Sequence, residues 1–157
     1  MSMAEHTGTL FEAPDPHFAG RVQASFGRQR IMELLGAELA RVEAGFCEIR
    51  LPFKDTLCQQ HGYFHAGVIG TIADSAGGYA GFSLMPEDAS VLTVEYKLNL
   101  LAPADGDCLI ARGSVIRPGR TLVVCRADVA VRKDDRETLC ATLLQTLMTM
   151  HGRRDDA

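Results

Sequence analysis

The segment from residue 66 to residue 85 is almost free of charge and consists mostly of small or apolar residues. It constrains the fold more than any other part of the chain. Its pattern predicts a long helix over residues 67–81, in which apolar side chains such as Val68, Ile72 and Tyr79 surround most of the circumference. A helix that is apolar on most sides has to be covered on most sides. A curved β-sheet provides such a cover, so we expect the other elements to wrap around this helix.

The flanking segments supply the strands that such a sheet needs. Before the central helix, the pattern predicts a helix from Pro16 to a stop at Gly27, a short helix over about 29–35, and a hairpin of 37–43 and 46–53. After it, short turns separate four long strands, over about 90–102, 108–116, 121–132 and 138–150, and turns this short imply antiparallel neighbours. The predicted fold class is therefore α+β, a six-stranded antiparallel sheet wrapped around a long central helix.

The strand over 90–102 carries the clearest alternation in the chain. Its polar set is Thr93, Glu95, Lys97 and Asn99, and its apolar set is Leu92, Val94, Tyr96 and Leu98. Successive side chains of a strand point to opposite faces of the sheet. The pattern therefore predicts one face packed on a core and one polar face in water.

Length and composition are those of a single domain. With 157 residues, the chain is expected to form one domain over 16–152, between a flexible arm over 1–15 and a frayed tail over 153–157. A net charge of −4 argues against nucleic acid as a partner. Neither a signal peptide nor a membrane helix is expected. Five cysteines without a C-x-x-C spacing predict free thiols and a cytoplasmic location.

A line of glycines runs along one face of the predicted central helix, with Asp74 in its middle. The line consists of Gly67, Gly70, Gly77, Gly78 and Gly81. Each interior glycine costs about 0.8–1 kcal/mol of helix stability relative to alanine, so the line needs a physical reason. We expect close approach, either by a partner subunit or by a narrow ligand lying along the helix. Asp74 is then either a structural carboxylate bonded to a neighbouring segment, or a desolvated base or nucleophile.

The start of this helix has no Ser, Thr, Asp or Asn in the capping position. The first backbone N–H groups, near Ala66 and Gly67, are therefore expected to be free, and such groups can hold a carbonyl oxygen as it becomes an oxyanion. The alternative is that water or a loop carbonyl fills this position. His61 and His65 are four residues apart, but Gly62 and the absence of a carboxylate between them argue against a metal site.

Three stretches of the sequence together resemble a known family. Residues 60–68, which read QHGYFHAGV, lead to ADSA at 73–76 and resemble the H-G-G…D region of hotdog-fold thioesterases. LTVEYK at 92–97, followed by LAPADGD at 101–107, is similar to the family's T…L-x-P-x-x-G-D run, and Gly119-Arg120 is similar to its hairpin turn. The likeness covers roughly residues 30–150. The closest branch is the PaaI-like thioesterases of phenylacetate degradation.

The resemblance implies a hotdog fold and an acyl-CoA thioesterase that needs no cofactor or metal ion. It implies a homodimer joined through the 90–102 strand, often doubled to a tetramer, with active sites at the dimer interface. Asp74, reaching across from the partner subunit, would activate water or attack directly. Ala66 and Gly67 would donate N–H groups to the thioester carbonyl, and Thr93 would hold the attacking water. No nucleic acid or membrane partner is implied.

The resemblance also implies residues that bind and position the substrate. Gln59 and His65 would fix the loop and the carbonyl. The narrow pantetheine arm of CoA would run along the small residues of the helix, and its phosphates would need cations. The substrate-binding residues expected are His61, Gly62, Gly70, Gly77, Arg117 and Arg120. The sequence departs from the family at Ala66, which replaces a glycine, and at Gln59, which replaces an asparagine.

Two other functions stay open from the sequence. A hotdog β-hydroxyacyl dehydratase would use a His paired with an acid, for which His65 and Asp74 are candidates. A non-catalytic acyl-CoA binding module would bind the thioester without releasing thiol. Neither the acyl group nor the choice between CoA and acyl carrier protein follows from these residues.

Overall fold

The computed structural model describes residues 11–156, and the predicted element order is confirmed in this range. Three helices and six strands follow one another. They are α1 (Phe18–Arg28), α2 (Arg30–Leu35), β1 (Glu38–Glu43), β2 (Phe46–Pro52), α3 (Ala66–Phe82), β3 (Ser90–Leu100), β4 (Cys108–Pro118), β5 (Leu122–Lys133) and β6 (Arg136–Met150). The strands form one antiparallel sheet in the order β1-β2-β4-β5-β6-β3.

The central helix α3 lies against the concave side of this sheet and contacts five of its strands. Its 17 residues span about 26 Å. Ile72, Ala73, Ala76 and Phe82 are fully buried, and they form one core with inward residues of β2, β4, β5 and β6. The fold class predicted from the apolar helix is therefore confirmed.

Glycines bring α3 very close to the sheet. A Cβ atom on Gly113 of β4 would lie 2.2 Å from the backbone oxygen of Ala76. A Cβ on Gly77 would lie 1.8 Å from Oε1 of Gln145, and one on Gly81 would lie 2.4 Å from a methyl of Leu147. Two glycines of the predicted line thus serve packing within this chain, and the idea of one continuous surface cleared for a ligand or partner is wrong there.

The strand β3 lies at one edge of the sheet and pairs with β6 on one side. Its pairing register shifts between Thr93 and Glu95, so Val94 forms a β-bulge. Thr93 pairs with the buried Leu147 and faces the helix, whereas Glu95 pairs with Thr146 and faces outward. The prediction of two unbroken faces is therefore wrong: the bulge moves Thr93 to the inner face.

The two ends of the described chain pack against the body of the protein. Residues 1–10 of the predicted arm lie outside the described residues. Asp15 is buried and forms a 3.0 Å ion pair with Arg21, and Arg21 donates to the backbone oxygens of Pro86 and Met85. In the predicted tail, Asp155 pairs with Arg28 of α1. These ion pairs hold residues 15 and 155 against α1, while the flexible arm over 1–15 and the frayed tail over 153–157 stay predictions.

Two further observations concern the cysteines and the helices. All five cysteines are free, and four of them are buried. Within residues 11–156, no helix is both long enough and apolar enough to cross a membrane.

Candidate active site

Asp74 lies in the middle of α3, and one of its two carboxylate oxygens is fixed. Oδ1 accepts a 2.7 Å hydrogen bond from Oγ1 of Thr93 and a 2.9 Å bond from Nε2 of Gln145. The same Nε2 lies 3.3 Å from the backbone oxygen of Asp74. Oδ2 has no hydrogen-bond partner within the described part of the chain. The side chain thus presents one free oxygen, in an orientation set by β3 and β6.

The carboxylate opens into a cavity of about 300 Å³ between α1, α3 and β3. Most of the side chains around the cavity form hydrogen bonds: Oγ of Ser75 donates to Gln29 at 3.3 Å, and the hydroxyls of Ser25 and Tyr79 lie 3.3 Å apart. The lining residues are Ser25, Arg28, Gln29, Asp74, Ser75, Gly78, Tyr79, Val91, Thr93 and Asp155. The cavity is therefore a polar pocket next to the free carboxylate oxygen of Asp74.

Burial changes the acidity of Asp74. Desolvation raises its pKa above the ordinary range of an aspartate, and the hydrogen bonds from Thr93 and Gln145 pull it back only in part. A carboxylate with a raised pKa accepts a proton more readily than an exposed one. The site is therefore suited to a general base or to a nucleophilic carboxylate.

The start of α3 differs from the expected uncapped helix. The ring of His65 caps it, because Nδ1 accepts a 2.9 Å hydrogen bond from the N–H of Gly67. The next two N–H groups, of Val68 and Ile69, donate to the backbone oxygen of His65. The N–H of Ala66 has no hydrogen-bond partner among residues 11–156. The N–H of Gly67 is therefore already donated within the chain and Ala66 carries the free donor, while a role of Gly67 as a carbonyl donor stays a prediction.

Ala66 borders a second cavity of about 430 Å³ that is mostly apolar. Its lining residues are Gln59, Tyr63, Phe64, Ala66, Ile69, Leu100, Leu101, Ala102, Pro103 and Ala104. The loop beside it is held by a tight turn, in which Gly62 has a φ of +80° and donates to the backbone oxygen of Gln59 at 3.0 Å. The side-chain oxygen of Gln59 accepts from the N–H of His61. In this conformation Gln59 and Gly62 shape the loop.

The two candidate groups of one chain are too far apart to act on the same bond. Ala66 and Asp74 are eight residues apart on α3, which corresponds to about 12 Å along the helix axis. They also line different cavities. The structure thus brings Asp74 and Thr93 together, and it brings Ala66 and Gln59 together, but it does not join the two sets within one chain.

The other predicted substrate-binding residues line neither cavity. Gly77 lies against Gln145, and Gly70 lies against Tyr96 and Leu98 of β3. Arg117 and Arg120 lie at the hairpin between β4 and β5, where the backbone oxygen of Arg120 contacts His151 at 2.8 Å. A role for these arginines in binding phosphate stays a prediction. No group of three or more potential metal ligands occurs in the described residues.

Sequence reasoning missed Gln145. This residue is fully buried on β6 and contacts Asp74 directly. A signal was present, because the inward row of β6 alternates as Leu143, Gln145 and Leu147, and an amide in such a row needs a partner. The polar residues of α1 and Asp155, which line the cavity beside Asp74, were also missed. No sequence periodicity indicates which loops and helices border a cavity.

Comparisons with known proteins identify a family and agree with the fold. The family model of the thioesterase superfamily matches residues 61–140, which include α3 and the strands β3 to β5. A thioesterase family protein from Silicibacter pomeroyi is 46% identical, with a TM-score of 0.85 over 86% of this chain and 99% of that chain. A 1,4-dihydroxy-2-naphthoyl-CoA hydrolase of Listeria monocytogenes is 24% identical over 70% of this chain and 88% of its own length.

The PaaI protein of E. coli, from the phenylacetic acid degradation operon, has the same fold. It is 18% identical, with a TM-score of 0.78 over 87% of this chain and 96% of that chain. The fold expected from the resemblance is therefore confirmed.

Proposed function

Because the chain belongs to the thioesterase superfamily, we propose that it hydrolyses acyl-CoA thioesters at a site shared by two copies of the chain. In this reaction water adds to the thioester carbonyl, the carbon–sulfur bond breaks, and a carboxylic acid and the CoA thiol are released. The CoA hydrolase from Listeria monocytogenes is a relative whose name states such a substrate. The observation that carries the proposal is the half-anchored carboxylate of Asp74, which has one oxygen fixed and one facing a pocket.

The mechanism uses one group from each protomer. The thioester carbonyl oxygen accepts from the free N–H of Ala66, where the positive end of the α3 dipole favours the negative charge of the transition state. Asp74 of the other protomer attacks the carbonyl carbon or takes a proton from the attacking water through Oδ2. Thr93 holds Oδ1 and orients the carboxylate.

The edge strand β3 supports a dimer. It leaves one side unpaired in the sheet, and Leu92, Val94 and Tyr96 are each about half exposed. An exposed, apolar edge strand tends to pair with another strand. In our proposal two copies of β3 pair antiparallel about a two-fold axis. Ala66 and Asp74 both belong to the helix that packs against β3, so this dimer is the means by which groups of different protomers meet.

Replacing Asp74 with Asn tests the assignment. Thiol release from a panel of short, medium, long and aromatic acyl-CoAs is measured with a thiol reagent. Wild type is expected to release thiol, and Asp74→Asn is expected to lose at least about 10²-fold in kcat, because the amide is neither a base nor a nucleophile. Unfolding of both proteins is followed as a control for folding.

Three outcomes separate this proposal from its alternatives. Near wild-type hydrolysis by a folded Asp74→Asn variant contradicts the catalytic role of Asp74. Conversion of 3-hydroxyacyl-CoA to enoyl-CoA without free thiol indicates a dehydratase. Tight binding of acyl-CoA without any thiol release indicates a binding module.

A further inference from the structure

Gln145 occupies an unusual place for an amide side chain. It lies in the middle of β6 and is completely buried, with Leu143 and Leu147 as its neighbours in the inward row. Burying an amide is unfavourable unless both its donor and its acceptor find partners. The contacts of this side chain therefore decide what it does.

Only one end of the Gln145 amide is satisfied. Nε2 donates to Oδ1 of Asp74 at 2.9 Å and lies 3.3 Å from the backbone oxygen of the same residue. Oε1 is buried and has no hydrogen-bond partner in the described residues. An unsatisfied buried acceptor is destabilising. The bond to Asp74 is thus retained although the other end of the amide finds no partner.

The helix also makes room for this amide. A Cβ on Gly77 would lie 1.8 Å from Oε1 and 2.8 Å from Cδ of Gln145. Glycine in the interior of a helix lowers helix stability. Two unfavourable features, the orphan acceptor and the glycine, therefore occur together around one contact with the carboxylate. A side chain needed only to fill this space would be apolar and would leave no buried acceptor without a partner.

The geometry points to Gln145 as a positioning residue for Asp74. Together with Thr93 it holds Oδ1, so that Oδ2 faces the pocket and the carboxylate stays ionised where burial opposes ionisation. This inference rests on the proposed hydrolase function, because it assigns how the carboxylate is aimed in that reaction. It predicts that Gln145 acts through Asp74 alone and does not touch the substrate.

Two variants of Gln145 remove the donor while keeping much of the shape. In Gln145→Met the donor is lost, and in Gln145→Glu a second carboxylate replaces it. We expect kcat to fall about tenfold or more and KM to change less than threefold, since the substrate contacts are unaltered. The acid limb of the pH–rate profile shifts to higher pH in Gln145→Met, because the ionised form of Asp74 loses a hydrogen bond. In Gln145→Glu the two carboxyl groups share one proton, and the acid limb shifts further because the second of them ionises only at higher pH.

A substitution in α3 tests the same contact between Gln145 and Asp74. Gly77→Ala places a methyl against the amide and displaces it, so the pH profile is expected to shift in the same direction. Gly27→Ala in α1 is the matched control, because a Cβ there meets nothing within 4 Å. It should leave the profile unchanged. The pKa of Asp74 is also measured directly by carboxyl carbon NMR, which does not depend on turnover.

The outcomes distinguish this inference from the function itself. If wild type hydrolyses no acyl-CoA, or folded Asp74→Asn is fully active, the proposed function fails. If hydrolysis depends on Asp74 but the folded Gln145 variants keep the wild-type pH profile and carboxyl pKa, Gln145 is only structural and the inference is overturned. If a Gln145 variant does not fold, the same comparison is made with Gly77→Ala, and an unchanged Asp74 pKa there overturns it equally.

Discussion

At the scale of single residues, the site depends on an asymmetry within one carboxylate. One oxygen of Asp74 accepts two hydrogen bonds from neighbouring strands, and the other faces an open pocket. The anchored oxygen fixes the direction of the side chain, and the free oxygen is left for chemistry. Because the whole group is partly desolvated, its pKa is raised, and this has consequences for both activity and stability.

Activity should fall on the acid side of a raised pKa. In our proposal the base or nucleophile is the ionised form of Asp74, so kcat/KM should increase with pH through a pKa above the ordinary aspartate range and then level off. A pH–rate profile with a good acyl-CoA substrate measures this midpoint. A midpoint in the ordinary range of a solvent-exposed aspartate would contradict the desolvated state of the site.

The raised pKa of Asp74 also affects stability, and here the contribution of this group falls as pH increases, whereas activity rises. A carboxylate whose pKa is raised by folding stabilises the protein below the unfolded pKa, and this contribution is lost as pH rises through the folded pKa. Asp74→Asn removes the titration, so the variant should gain stability relative to wild type as pH increases. Urea unfolding of both proteins at acidic and at neutral pH checks this sign. A difference that does not change with pH would be inconsistent with it.

The free N–H of Ala66 can be removed by a single substitution. Ala66 is the first residue of α3, the position where proline is tolerated because its missing N–H has no partner within the helix. The preceding residue, His65, has φ −67° and ψ 140°, which is compatible with a following proline. Ala66→Pro should therefore fold and should lower kcat about 10²–10³-fold, as expected for the loss of one oxyanion donor.

Two measurements accompany this variant. Thermal unfolding shows whether Ala66→Pro retains the stability of wild type, and steady-state thiol release gives kcat. Gly67→Ala is the comparison, because the N–H of Gly67 is already donated to His65 and is kept in the variant. Full activity of a folded Ala66→Pro protein would exclude the N–H of Ala66 as the carbonyl donor.

At the scale of elements, the glycines of α3 and β4 set how closely the helix approaches the sheet. Gly113 is the least adaptable case, since a Cβ there would lie 2.2 Å from a backbone oxygen of α3, whereas a Cβ on Gly77 or Gly81 would meet a side chain. A backbone atom in the middle of a helix cannot move aside as the end of a side chain can. The separation between α3 and β4 is therefore fixed at this point.

Gly113→Ala should consequently destabilise the fold. We expect a loss of about 1–3 kcal/mol in the free energy of unfolding, the range for overpacking a well-packed core. Gly27→Ala in α1 has open space for its Cβ and should instead be neutral or gain up to about 1 kcal/mol. Urea unfolding of the two variants beside wild type provides the test. Equal stabilities would show that the helix and the sheet can separate without loss.

The elements themselves were predictable from the sequence, but their fine register was not. The apolar run of α3 and the alternating strands indicated a helix wrapped by a six-stranded sheet, as observed. The bulge at Val94 was hidden because LTVEYK alternates without a break. A bulge is a property of the pairing with β6, and a single strand carries no information about its partner's register.

The candidate site was predictable only in part, because some of its residues are defined by contacts between segments that are distant in the sequence. Asp74 was found because it is the only carboxylate in an apolar helix. The surroundings of Gly67 and Gly77 were not predictable because they depend on contacts across space. A histidine ring accepts a hydrogen bond from the N–H of Gly67, and the amide of Gln145 fills the space above Gly77. Helical periodicity indicates which residues share a face, but it does not indicate what lies opposite that face.

At the scale of the whole molecule, the two candidate catalytic groups of one chain lie in separate cavities. The carboxylate lies in a polar cavity beside α1, and the free N–H lies in an apolar cavity beside the loop at residue 62. About 12 Å of helix separates them. Our proposal therefore makes the dimer the catalytic unit, and an isolated protomer would be inactive.

Two inactive variants should restore activity to each other. When Ala66→Pro and Asp74→Asn chains are co-expressed, half of the dimers are mixed, and each mixed dimer has one site with both functional groups. About a quarter of the wild-type specific activity is then expected for random pairing in a two-fold dimer. Each variant expressed alone is the control. Absence of any recovery in purified mixed dimers would place both groups in the same protomer.

The bulge in β3 has a consequence for comparing this sequence with others. Thr93 faces Asp74 only because Val94 is an additional residue in the strand. Deleting one residue there would restore the regular alternation and turn the hydroxyl to the opposite face. A one-residue alignment gap at this position therefore marks the loss of a hydrogen bond to the carboxylate, although it looks like a neutral difference in strand length.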